Sequence, residues 1–137
     1  ISIDVRDAIN HYGLQPYLDY KGVVPHSLAV FHQKKSQLLL LIEANTVAAS
    51  YIIPAKLFEY LNSGRPIVAL GPKSSEMCSI LKETNAGSYF NYSDQSALKA
   101  HLIQLFNIYQ NNSLDVSVNG IERYSRRACS KALAELF

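Results

Sequence analysis

Apolar and polar positions change in blocks along the chain, and each block predicts an element. Residues 3–12 place Ile3, Val5, Ala8, Ile9 and Tyr12 on a rough helical face that Gly13 stops. After Pro16, the run 17–24 contains Gly22, closes at Pro25 and reads as a strand. Residues 27–36 predict a short helix whose last turn carries Lys34 and Lys35, where the helix dipole favours cations. Residues 38–42 are continuously apolar, the pattern of a strand buried on both faces of a parallel sheet.

Pro54 starts the next helix, with Leu57, Phe58 and Leu61 as its core face and Gly64 and Pro66 as its stop. Residues 66–70 form a second all-apolar strand, broken by Gly71-Pro72. Ser74 or Ser75 caps a helix to about Thr84, and the turn Asn85-Ala86-Gly87 leads into a strand at 88–91. Ser93 caps a long helix with Leu98, Leu102, Leu105, Phe106 and Tyr109 at helical spacing, broken by Asn111, Asn112 and Ser113. A last helix, about 117–137, is charged on one side through Glu122, Arg123, Arg126, Arg127 and Lys131. Four strands alternating with six helices imply right-handed βαβ units, hence a Rossmann-like α/β fold with a parallel sheet flanked by helices. Such a domain normally opens with a strand, and this chain opens with a helix.

Composition narrows the function classes. The 137 residues carry 48% hydrophobic and 18% charged side chains, which excludes a disordered chain and fits one domain with a core. A net charge of +2 is too small for the footprint of a nucleic-acid binder. Cys78 and Cys129 alone make no disulfide framework, which points to a reducing, cytoplasmic setting. The longest apolar run, 38–42, falls far short of the roughly 20 residues of a membrane span. The single Met is Met77, so the chain reads as a piece of a longer protein whose first strand or strands lie upstream.

In an open parallel sheet, ligands bind beyond the carboxyl ends of the strands, where helix N-termini present free N–H groups. Three segments are expected there: 22–26, 43–53 and 71–75. The middle one is long for a connection between strand and helix, where about two to six residues are usual. It leads to a helix whose first turn carries Lys56, with Glu59 one turn on. The N–H groups of Ala55, Lys56 and Leu57 are open to an anion such as a diphosphate, and Glu59 is open to a pair of ribose hydroxyls. Against this stands an ordinary surface pair of Lys and Glu, worth a few tenths of a kcal/mol.

The segment 52–70, IIPAKLFEYLNSGRPIVAL, resembles the donor-binding half of retaining GT-B glycosyltransferases of the family 4, or group 1, type, particularly members with a PxK-LxEY-x-x-x-G-x-P segment. Those enzymes include bacterial capsule, O-antigen and lipopolysaccharide sugar transferases. The flanking stretches agree in order, and the similarity spans about residues 17–109. The resemblance implies a nucleotide-sugar-binding domain over 1–137, with the acceptor-binding half and the glycine-rich diphosphate turn upstream. It places Glu59 on the ribose hydroxyls, the Val24 backbone beside the nucleobase, and Ala55, Lys56 and Leu57 facing the diphosphate. It further implies hexosyl transfer from a nucleotide-diphosphate sugar to a glycan or lipid-linked acceptor, and contact of the whole protein with the inner face of a membrane. No metal cofactor is implied, and this piece alone is expected to be inactive. One departure is Tyr51, where much of the family has a glutamate touching the transferred sugar; Asn45 and Thr46 are the nearby substitutes.

Other candidates are weaker. His11, His26, His32 and His101 lack metal-ligand spacing, and only His26 lies on the proposed edge. Ser74 and Ser75 read as caps rather than nucleophiles, and the Arg123, Arg126 and Arg127 cluster reads as a solvated helix face. Two alternative functions remain: a GT-B-fold nucleotide-sugar epimerase, for which the catalytic carboxylates are not found, and a non-catalytic Rossmann-like interaction or regulatory module.

Overall fold

A computed structural model describes residues 1–111, 114 and 116–136. The elements follow in the order α1 (Ile3–His11), a 3-10 turn (Gln15–Tyr17), α2 (His26–Lys35), β1 (Leu39–Ile42), a 3-10 turn (Val47–Tyr51) and α3 (Ala55–Leu61). Then come β2 (Ile67–Gly71), α4 (Glu76–Thr84), β3 (Gly87–Asn91), α5 (Gln95–Gln110), a 3-10 turn (Ile121–Tyr124) and α6 (Arg126–Ala134).

The three strands form one parallel sheet in the order β1-β2-β3, with Leu41, Ala69 and Tyr89 in register across it. Parallel neighbours need a crossover, and α3 and α4 supply the two. Leu39, Leu41, Ile67 and Ala69 point to one face and meet Leu57 and Leu61 of α3 and Met77, Ile80 and Leu81 of α4 in the main core. Leu57 and Leu81 are wholly buried, each worth about 1.5–3 kcal/mol of transfer free energy. The other face is served by α5, whose His101 ring lies 5.3 Å from the ring of Phe90. The chain is therefore α/β, a parallel sheet flanked by helices, consistent with a Rossmann-like arrangement.

Local chemistry explains the boundaries. The Ser75 hydroxyl caps α4 by accepting from the Met77 N–H at 3.1 Å, and Asn85 ends that helix in the left-handed conformation at φ 53°. Gly87 opens β3 so close to β2 that an added Cβ would lie 1.9 Å from the Ile67 carbonyl oxygen. Pro54 serves as the N-cap of α3 rather than its first residue.

Several expectations fail, each for a physical reason. Residues 17–24 form no strand: Tyr17 and Tyr20 are exposed and Val23 is fully so, because no described strand lies beside β1 on its outer edge to pair with them. Among the described residues there are thus three strands, not four. Strand β1 is buried on one face only. Leu40 and Ile42 are more than half exposed, since nothing described covers them on the face that α5 meets at Phe90 of β3. Asp94, not Ser93, is the N-cap of α5. Asn112 and Ser113, expected to break α5, and Phe137 lie outside the described residues. The last helix is also divided. Gly120 at φ 65° starts a 3-10 turn, and Ser125, extended, caps the shorter α6 by accepting from Ala128 N–H at 3.1 Å. Arg123 falls in that turn rather than in α6; it stays more than half exposed, as expected, and pairs with Glu83 of α4, to which the Tyr124 hydroxyl donates at 2.9 Å.

Candidate functional site

The carboxyl ends of β1, β2 and β3 are continued by Glu43, Pro72 and Tyr92, so residues following them share one edge of the sheet. The helices α3, α4 and α5 start from that edge.

Glu59 sits one turn into α3 with its side chain about 39% exposed. Lys56 is not its close partner. The Gln33 amide donates to Glu59 Oε2 at 3.2 Å, and His26 Nε2 lies 3.3 Å from Oε1. Both partners come from α2, seven residues apart and therefore on one face of that helix. The hydrogen bond from Gln33 and then that from His26 hold the Glu59 carboxyl below the usual carboxylate range, with Lys56 adding a smaller electrostatic share. A carboxylate has roughly four acceptor positions, so each oxygen keeps one for a further donor. Glu59 also lines a groove of about 560 Å³ together with Phe58, Asn62, Tyr124 and Arg126. The Phe58 and Tyr124 rings in its wall are 5.9 Å apart.

The start of α3 differs from expectation in one respect. The Leu57 N–H is not free but donates to the Pro54 carbonyl at 2.9 Å, and its side chain is in the core. For the Ala55 and Lys56 N–H groups no acceptor is found among the described residues, and both residues are exposed. Val24 is half-buried immediately before Pro25, the N-cap of α2. The structure thus brings His26, Gln33, Lys56 and Glu59 together. The 43–53 connection is not a bare loop. Thr46 caps its 3-10 turn by accepting from Ala49 N–H at 3.3 Å. Tyr51 stands 82% exposed.

A second cluster was not singled out from the sequence. Glu43, the residue after the all-apolar β1, is buried at the strand end. Ser75 Oγ donates toward its two carboxylate oxygens at 3.1 and 3.0 Å, and the Tyr89 hydroxyl lies 3.1 Å from Oε2 and 2.8 Å from the Pro72 carbonyl. The Tyr92 hydroxyl donates to the Glu43 carbonyl. Burial, with the Glu43 carboxylate alongside, pushes the Tyr89 phenol well above its ordinary range. Gly71 makes room for the cluster: a Cβ there would come within 2.2 Å of both Glu43 Oε2 and the Tyr89 oxygen. A charged residue directly after an apolar strand run was the available signal. Beside the cluster, Ser50, Tyr51, Lys73, Ser74 and Ser79 line a groove of about 500 Å³. Ser75 acts as the expected cap and also as a clamp on Glu43.

Among the described residues no three His, Cys, Asp or Glu side chains gather as metal ligands, and no helix is long and apolar enough to cross a membrane. Comparison with protein families, with curated proteins and with solved structures finds no match for this chain.

Proposed function

We propose that the chain is the nucleotide-sugar-binding part of a glycosyltransferase of the GT-B kind, a piece of its C-terminal half. The whole enzyme transfers a hexose from a nucleotide-diphosphate sugar to a glycan or lipid-linked acceptor, with retention at the anomeric carbon and without a metal. The observation that carries this reading is Glu59: a part-exposed carboxylate held ionised by His26 and Gln33, one turn beyond the Ala55 and Lys56 N–H groups and the Lys56 ammonium. An acceptor and a cation one helical turn apart suit a ligand with a phosphate beside a sugar. The order of motifs over residues 17–109 supports the same assignment. Val24, at the entry to α2, is then the backbone beside the base. Leu57 contributes packing rather than an N–H, which leaves Ala55 and Lys56 for the diphosphate. Catalysis in such a site is positioning together with stabilisation of the departing diphosphate.

Titration of the protein with UDP and with GDP, followed by amide NMR, tests the reading. Saturable shifts centred on residues 55–59, weakened about tenfold by Glu59→Ala, are expected. Unchanged spectra with both nucleotides would favour a non-catalytic interaction module.

A further inference from the structure

Glu59 has two partners on α2, and they are unlike. The Gln33 side chain is half-buried between α2 and α3, and its amide reaches Oε2. The His26 side chain is 75% exposed, sits on the first residue of α2, and reaches Oε1 across open surface. Immobilising a half-buried amide costs little further entropy, whereas an exposed imidazole turns into water readily. A ligand hydroxyl approaching Glu59 therefore meets one fixed partner and one that yields.

We propose that Gln33 is a positioning residue that fixes the Glu59 carboxylate for a ligand's vicinal hydroxyls, and that His26 is the partner those hydroxyls displace. The proposal rests on Glu59 being the ribose acceptor. A ligand hydroxyl donates to a carboxylate oxygen as the His26 ring can, so one exchanges for the other on Oε1, while the Gln33 amide on Oε2 stays in place.

The test is calorimetric titration with UDP-glucose and with GDP-mannose, and with the 2′-deoxyribose analogue of UDP-glucose. His26→Ala should bind the nucleotide sugars about two- to fivefold more tightly than the wild-type chain, the range an exposed polar pair supports, because no partner has to be displaced. Gln33→Ala should weaken binding and shrink the preference for UDP-glucose over its 2′-deoxy analogue, which a merely structural role would leave unchanged. His26 is largely exposed, so its removal leaves the fold in place. Binding by His26→Ala no tighter than that of the wild type would overturn the displacement role while leaving the nucleotide site standing. Binding and preference unaffected by Gln33→Ala would overturn the positioning role. If neither nucleotide sugar binds any of the three proteins, the nucleotide-sugar reading itself falls, and both roles fall with it.

Discussion

The Ser75 hydroxyl bridges both carboxylate oxygens of Glu43, at 3.1 and 3.0 Å, across 32 positions of sequence. The same oxygen accepts from the Met77 N–H and so starts α4. One atom therefore satisfies a helix end and a buried charge together. Ser75→Ala removes both services, and a loss of about 2–3 kcal/mol in denaturant unfolding is expected. Glu43→Ala should cost a similar amount. A loss under about half a kcal/mol for both would refute the clamp.

Two glycines should resist even the smallest side chain, to different degrees. At Gly71 the added Cβ meets side-chain oxygens, which shift; at Gly87 it meets the backbone of Ile67, which does not. Gly71→Ala is expected to destabilise by about 1–3 kcal/mol and Gly87→Ala by about 3 kcal/mol or more. Thermal unfolding of the two variants side by side checks the order; the reverse order would contradict the observed packing of β3 on β2.

Tyr89 should be among the last of the nine tyrosines to ionise. Its raised value means that the folded state favours the neutral phenol. That contribution is fully present below the ordinary tyrosine range and is lost as pH rises through the raised value. Ultraviolet titration of the wild type against Tyr89→Phe should show the missing phenol at the alkaline end, coincident with unfolding. A missing phenol at the ordinary tyrosine pH would sink this account.

Glu59 works in the opposite sense. Its lowered value makes the ionised form the stabilising one, so its share is complete above the ordinary glutamate range and fades as pH falls through the lowered value. Exposure keeps the effect small. Following the carboxyl carbon of Glu59 by NMR, Gln33→Ala should move its titration upward more than His26→Ala does, since Gln33 is the larger cause.

Much of the sheet was legible from sequence because two of its three strands are short, continuously apolar runs, as 67–70 is between Pro66 and Gly71. Helix ends were legible where a cap carries its own chemistry, as at Ser75 and Asn85. The supposed strand at 17–24 shows the limit: strand propensity is realised only beside a partner edge, and pairing is not written in the segment itself. The division of the last helix at Ser125 was obscured because its charged positions continue across the break. At the candidate site, spacing along one helix pointed to Glu59, but the side chains that hold it come from α2. Glu43 was missed for the same reason: its partners Ser75 and Tyr89 become neighbours only after two crossovers.

From Ile1 to Pro25 no side chain is buried, and Lys21 lies within this stretch, paired only with the exposed Asp19. To trypsin, the part of it around Lys21, which belongs to no helix or strand, resembles substrate already unfolded. The chain should be nicked at Lys21 under conditions that spare the rest, and the fragment beginning at Gly22 should melt at the temperature of the intact chain.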